Sequence, residues 1–338
     1  MKKLKYTLII ILSACIILAL STACEFSVVQ TEPAVVSPIT TTPDIEESTV
    51  EITSPETPLL QSPAIPMVLM PVASGTLVAD NEKASIDYSN ITDGYVMINW
   101  LKDTDKQLRV LITGPGDITY TYRLTPDTKY VVFPLSEGDG SYEVKALEQT
   151  TDGRYAVAVT ATFNVSLKDE FMPFLHPNQF VDFNESSDVV LFAASIVTGK
   201  EALVDKINAV YDFVSGNISY DTEFAEAIIN GSVDSHLPDL DRVIASGKGI
   251  CFDYAAVMAA MLRSQGIPTK MVFGYVGDVY HAWINVYSEE TGWIDNLIFF
   301  DGVSWIIMDP TFASSASNPA ALAEFIGTGT NYAAKYLY

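Results

Sequence analysis

Four hydropathy regimes follow one another along the chain. Leu8 to Leu20 is almost wholly apolar and is preceded by Lys2, Lys3 and Lys5. Glu25 to about Val72 is rich in Thr, Pro, Ser and Glu without a sustained period, as in Thr40-Thr41-Thr42-Pro43 and Ser54-Pro55-Glu56-Thr57-Pro58. From about Ser74 to Leu167 short alternating runs take over: Tyr95–Trp100, Gln107–Ile112, Ile118–Tyr122, Tyr130–Phe133, Tyr142–Leu147 and Tyr155–Phe163. Alternation places every second side chain on one face, the pattern of a strand with one face covered. Gly114-Pro115-Gly116, Gly138-Asp139-Gly140 and Thr151-Asp152-Gly153 supply the turns between them. About seven short strands in about ninety residues predict a small β-sandwich of immunoglobulin or fibronectin type over residues 74–168, acting as a spacer or a binding module.

From about Phe171 the period changes to that of a helix. In Glu201 to Val214, the residues Val204, Ile207, Val210, Tyr211 and Val214 share one face. Asp253 to Gln265 carries Tyr254, Met258, Met261 and Leu262 at the same spacing, and Gly266-Ile267-Pro268 ends that helix. His281 to Tyr287 and Ser304 to Asp309 alternate again. The expected fold class is multidomain: the β-sandwich, followed by an α+β domain over residues 171–338.

The leading segment reads as an export signal over residues 1–23. A basic start and an apolar run are followed by Ser21-Thr22-Ala23-Cys24. It resembles a bacterial lipoprotein signal, which implies a lipid on Cys24 and a new N-terminus there. Ser21 departs from the Leu favoured in such signals, and Leu12-Ser13-Ala14-Cys15 fits the box better but would leave an apolar stub after Cys15. An uncleaved membrane anchor is the alternative. Either way the rest of the chain is expected outside the membrane, at the cell surface, on a Thr/Pro/Ser/Glu-rich tether over residues 24–73 that cannot bury enough apolar surface to order itself.

This assignment leaves Cys251 as the one thiol of the exported part, so no disulfide is expected there. A net charge of −23 argues against nucleic acid and against adsorption to anionic lipid, and it keeps an exported chain soluble. There is no phosphate-binding glycine fingerprint and no paired Cys or His at metal spacing, so neither cofactor nor metal is expected. Acidic residues between Asp221 and Asp241 lack the spacing of a calcium loop.

What carries chemistry is a thiol, an imidazole and a carboxylate at the edges of elements. Cys251 lies at or just before a helical turn, after Gly247-Lys248-Gly249, read as a flexible lead-in. Unpaired N–H groups at a helix start favour a thiolate and can hold an oxyanion. If His281–Tyr287 pairs with Ser304–Asp309 through Glu289 to Gly302, His281 and Asp309 meet at one end, and the carboxylate can orient the ring. Asp301 and Asp295 are the fallback carboxylates. His176 and His236 read as surface loop residues.

The motifs Gly249-Ile250-Cys251, Ala255-Ala256, Gly266-Ile267-Pro268, Gly274-Tyr275, His281-Ala282-Trp283 and Asp309-Pro310-Thr311 resemble those of the transglutaminase-like superfamily, whose core is related to papain-type peptidases. Tyr211–Val214 with Asn217–Asp221 is similar to the segment before the nucleophile. The resemblance covers roughly the last half of the chain. It implies a papain-like fold for residues 171–338, with Cys251 as nucleophile, His281 as base and then acid, and Asp309 as orienter. It further implies acyl transfer on peptide or protein amides through a thioester, released by water or by a lysine amine, with substrates that include cell-wall-associated ones. Lys270 stands where the family often has Arg, and Tyr220 is the nearest candidate for a side-chain oxyanion donor. The rival expectation is a non-catalytic adhesion or scaffold protein whose thiol site is vestigial or only binds peptide.

Overall fold

In the alternating region the strands form because every second side chain finds cover. The computed structural model describes residues 68–126, 129–295, 299–300, 305–306 and 332–338. The signal and most of the tether expected at the N-terminus lie outside them. The first eight strands are β1 (Val78–Asp80), β2 (Ala84–Asp87), β3 (Tyr95–Trp100), β4 (Leu108–Thr113), β5 (Thr119–Leu124), β6 (Val131–Pro134), β7 (Gly140–Gln149) and β8 (Tyr155–Val165). They make two antiparallel four-stranded sheets, ordered β1-β2-β3-β6 and β5-β4-β7-β8. β5 buries Tyr120, Tyr122 and Leu124 and exposes Thr119, Thr121 and Arg123, the period of two expected for one covered face. Val96, Ile98 and Trp100 of one sheet and Val110, Ile112 and Val144 of the other are buried in the same core. Residues 68–73, at the end of the expected tether, are held against this region. Val68 is buried, the Val72 N–H donates to the Tyr95 hydroxyl at 3.1 Å, and Asn90 Nδ2 donates to the Val72 carbonyl at 2.6 Å.

The helical region contributes α1 (Asp188–Val197), α2 (Leu203–Asn217), β9 (Ser219–Tyr220), α3 (Thr222–Ile229), α4 (Leu240–Ser246), β10 (Lys248–Gly249) and α5 (Cys251–Arg263). After them come β11 (Thr269–Val276), β12 (Val279–Ser288), β13 (Gly292–Ile294), β14 (Phe299–Phe300), β15 (Trp305–Ile306) and β16 (Tyr332–Leu337). Helix α5 is apolar all round: Ala255 to Leu262 are all buried, which marks a central rather than a surface helix. It packs against α1, α2 and α4 and against β11 and β12. The sheet beneath it runs β13-β12-β11-β16, antiparallel throughout.

The pairing expected between His281–Tyr287 and Ser304–Asp309 lies in large part outside the described residues, and the part that is described differs from it. The chain reverses near Glu290, so β12 pairs with β13 (Val286 opposite Ile294), while Trp305–Ile306 pairs with Phe299–Phe300. Lys270, where the family often has Arg, lies over the Trp293 ring at 3.6 Å and near that of Phe174 at 5.0 Å, so its ammonium is held by π faces. Burial there lowers its pKa. Among the described residues, no helix is long and apolar enough to cross a membrane. The described residues all fall within one compact unit, Leu60–Tyr338.

Candidate active site

Cys251 is the first residue of α5, and its thiol is free and partly buried. The two glycines before it do not make a flexible lead-in. Gly247 closes α4 in the left-handed region, at φ 60°, a conformation that carries no penalty for glycine. Lys248 and Gly249 then pair in parallel with Ser219 and Tyr220. A β-carbon on Gly249 would lie 2.8 Å from that of Asp253. The approach to the nucleophile is therefore a short, tightly packed strand. Tyr220, the oxyanion candidate, sits opposite Gly249, two residues from the thiol.

Asp253, in the first turn of α5, holds this corner together. It is 2% exposed, and its Oδ2 accepts the Ile250 N–H at 2.9 Å, closing the helix start from below. Its Oδ1 accepts from His236 Nε2 at 2.6 Å. A carboxylate can only accept, so the ring carries its proton on Nε2. The His236 side chain is 9% exposed, wedged edge-on between Phe224 (4.9 Å) and Phe252 (5.8 Å). The surface-loop reading of His236 is thus corrected: its neighbours in sequence are polar, but its partner lies 17 residues further on. His176 is corrected likewise. It is buried, with Nδ1 donating to the Leu69 carbonyl at 2.7 Å.

His281 lies on β12 opposite Gly274 and is 5% exposed. Ala282, Ile284 and Val286 turn into the core beneath α5. His281 and Trp283 share the other parity. The Trp283 indole lies across Gly274, where a β-carbon would come within 2.5 Å of it and within 2.1 Å of the Ala333 carbonyl. Tyr280, the residue before His281, stacks on Phe273 at 5.7 Å, and Phe273 meets Phe252, the residue after Cys251, at 4.9 Å. Burial first, and then neighbouring tyrosines and Cys251, push the Tyr280 phenol up to about 12. On the edge of β12 away from β11, β13 pairs only with Val286 to Ser288, so at His281 that edge faces no described strand.

Asp309 lies outside the described residues, as does Asp301. Asp295 accepts from Asn285 Nδ2 at 2.7 Å. The acidic stretch from Asp221 to Asp241 resolves into local work. Asp221 and Asp239 cap helices by accepting from the N–H groups of Phe224 and Arg242, and Asp234 pairs with Arg123. Among the described residues no group of three or more metal-ligating side chains comes together.

Residues 191–310 match a family model described as the transglutaminase-like superfamily. The chain therefore carries a transglutaminase-like domain behind a largely β-rich N-terminal region. The uncharacterized protein YebA of Bacillus subtilis (strain 168) is 28% identical over 123 residues, with 30% of this chain and 16% of that protein covered. The chain thus matches only a small part of that relative's length. Among solved structures, a candidate cysteine protease of Cytophaga hutchinsonii is 16% identical, with a TM-score of 0.35 and coverage of 78% of this chain and 73% of that one. Red sea bream transglutaminase is 14% identical, with a TM-score of 0.26 and coverage of 64% and 48%.

Proposed function

We propose that this protein is a thiol-dependent acyl-transfer enzyme acting on peptide or protein amides, with Cys251 as nucleophile, His281 as base and acid, and Asp309 as orienter. The observation that carries the reading is a free thiol at the first residue of a buried helix that is braced by Asp253 and packs on β12, the strand that bears His281. The Cys251 thiolate attacks the amide carbonyl, and the first-turn N–H groups of α5 are the donors available to the oxyanion. The His281 imidazolium gives its proton to the leaving amine, and a thioester on Cys251 remains. Water then releases the acid, or a second amine forms a new amide, with His281 taking the proton from the incoming group. For this, the His281 ring must come within hydrogen-bonding reach of the sulfur.

The same proposal holds the chain at the outer face of the membrane through lipid on Cys24. It also takes the two N-terminal sheets as a fibronectin-type sandwich. Their strand orders, β1-β2-β3-β6 and β5-β4-β7-β8, support this, and so does the Tyr142 hydroxyl. That group donates to the Gly138 carbonyl four residues upstream at 3.0 Å, in the manner of a tyrosine corner.

The test is incubation of the full-length chain with a glutamine-containing peptide and a fluorescent primary amine, following ammonia release, amine incorporation and chain cleavage. Activity that disappears in Cys251→Ala and in His281→Ala is the expected result. Turnover that persists without the thiol would overturn the proposal. So would a Cys251 that iodoacetamide alkylates no faster with His281 present than with His281→Ala.

A further inference from the structure

We propose that the cleft between β5 and the start of α5 is a substrate groove for an extended peptide bearing a bulky apolar side chain and, about two residues away, a carboxylate. The inference rests on Cys251 as the reacting group and adds the class of substrate.

Two hollows meet at Thr121 and Phe180, which line both. One, of about 390 Å³, has Lys106 and Arg123 on the sheet side and His236 and Phe252 on the helix side. The other, of about 270 Å³, is closed by Phe273, Tyr280 and Tyr336. Cys251 is next to Phe252, whose ring lines the first hollow and meets Phe273 of the second at 4.9 Å, with Tyr280 stacked on Phe273 at 5.7 Å. A larger hollow of about 620 Å³ around Leu203, Pro268 and Tyr287 lies at the other end of β12 from His281 and is lined by neither cysteine nor histidine.

Three properties of the cleft select the ligand. First, among the described strands β5 pairs with β4 alone, so every second residue turns its N–H and C=O away from the sheet. Arg123 is one of these, because its carbonyl accepts from Gln179 Nε2 at 2.7 Å. Thr121, two residues earlier, is therefore another, and where the hollows join it turns out a main-chain donor and acceptor with no partner among the described residues. An extended peptide can add to that edge as a further strand.

Second, the floor is aromatic. Phe180, Phe252 and Phe273 meet edge to face at 4.9 to 6.1 Å, and Tyr280 stays 50% exposed and lies parallel to Phe273. Such a floor takes a bulky apolar side chain.

Third, the charge at one end is opposite to that of the molecule. In a chain of net charge −23, Lys106 and Arg123 face the first hollow with side chains 47% and 44% exposed. Lys106 is only 4.0 Å from Glu148, which Lys83 already holds at 2.8 Å. Arg123 is held by Asp234, itself 77% exposed. A substrate carboxylate can take the place of that exposed one at little cost. Thr121 and Arg123 are two residues, about 7 Å, apart along the strand, which sets the spacing between the paired amide and the acidic group.

The test measures binding by fluorescence anisotropy on full-length Cys251→Ala, which cannot turn over. The probes are a labelled peptide with Phe beside a central Gln and Asp two residues away, and the same peptide with Ser for Asp. Adding Lys106→Ser and Arg123→Ser should weaken the acidic peptide about tenfold and leave the Ser peptide within about twofold. Methylating the one peptide amide that pairs with Thr121, found by scanning each position, should weaken binding by about the same factor without altering the protein. Equal binding of the acidic peptide with and without the two cations overturns the proposal. So does a methylation scan with no sensitive position, or no measurable binding at all. Turnover of both peptides, indifferent to Lys106 and Arg123, would sink the groove and spare the enzymatic reading. Charge-dependent binding with a chemically inert Cys251 would do the reverse.

Discussion

Asp253 and His236 should be strongly coupled, and a double-mutant cycle measures how strongly. Asp253→Ala removes both acceptors of a carboxylate that is 2% exposed. The Ile250 N–H then loses its partner at the helix start, a capping loss of about 0.5–2 kcal/mol. The His236 Nε2–H, on a side chain 9% exposed, is also orphaned, which costs about 1–3 kcal/mol. Together these put the single variant at about 1.5–5 kcal/mol. His236→Phe keeps the ring between Phe224 and Phe252 but leaves Asp253 Oδ1 facing an apolar edge, at about 3 kcal/mol for a buried charge stripped of one partner. Once the carboxylate is gone, a phenyl ring there offends nothing. The double variant should therefore lie near Asp253→Ala alone, for a coupling of about 3 kcal/mol, the cost of His236→Phe in the presence of the carboxylate. Urea denaturation of the four proteins gives the cycle directly, provided the m-values agree. Additivity within about 0.5 kcal/mol would refute the account.

Stability should fall on acidification because of His176. With Nδ1 donating to Leu69 and Nε2 buried without a partner among the described residues, burial lowers its pKa below 6.5. The unfolded chain takes the proton first, so this contribution is full above pH 6.5 and is lost as pH falls towards the folded value, with a slope approaching about 1.4 kcal/mol per unit. Denaturation of His176→Gln between pH 7.5 and 5 should show a flatter profile, and an unchanged one contradicts the assignment. Arg263→Met should cost about 3–5 kcal/mol, since the buried guanidinium donates to the main-chain oxygens of His176, Thr269 and Tyr338 at 2.6–2.9 Å. Arg263→Lys should recover only part of that in a urea titration, because an ammonium cannot reproduce the planar fork. Gly274→Ala drives a methyl into the Trp283 ring and the Ala333 carbonyl and should lower stability by about 2–4 kcal/mol, with a changed tryptophan emission spectrum. Unaltered emission and melting would show that β16 can move aside.

What the sequence disclosed follows from the range of the interaction. β4, β5 and β7 were legible because alternation is a property of adjacent residues, and buried side chains alternate with more exposed ones along much of their length. The helix that begins at Cys251 was legible from its apolar spacing, although its start falls two residues before the Asp253 expected to open it. That shift mattered, because an acid in the first turn that reaches back to the preceding N–H is a cap signal only once the first turn is placed at Cys251. β1 and β2 are three and four residues long, too short to show a period against a polar background. His236 was read from its neighbours Ser235 and Leu237, yet Asp253 and two aromatic rings, all distant in sequence, bury it. No local pattern could have shown it. The reversal near Glu290 likewise competed with a longer connection that matched the strand pattern equally well.

The relation between the β-rich region and the transglutaminase-like domain is of the same long-range kind, and it bears on what the former does. A module that merely spaces the domain from an anchor has no reason to share a core with it. Here Tyr120 and Tyr122 of β5 meet the Tyr338 ring at 5.5 and 5.7 Å, and Tyr338 in turn packs on Phe180 and Phe273. The Leu337 N–H donates to the Tyr120 hydroxyl, whose proton goes to Glu137. The main-chain N–H and C=O of Tyr338 both bond to Met271 on β11, and its oxygen also accepts from Arg263 of α5. One residue thus ties the sheet below the Cys251 helix, the helix itself and β5 into a single packed junction, and the open hollows lie beside that junction. Separating the two regions would expose aromatic surface and strip buried main-chain partners, so they unfold as one body. On that footing β5 stands at a fixed distance from Cys251, which is the property a wall of a substrate groove needs and a spacer does not.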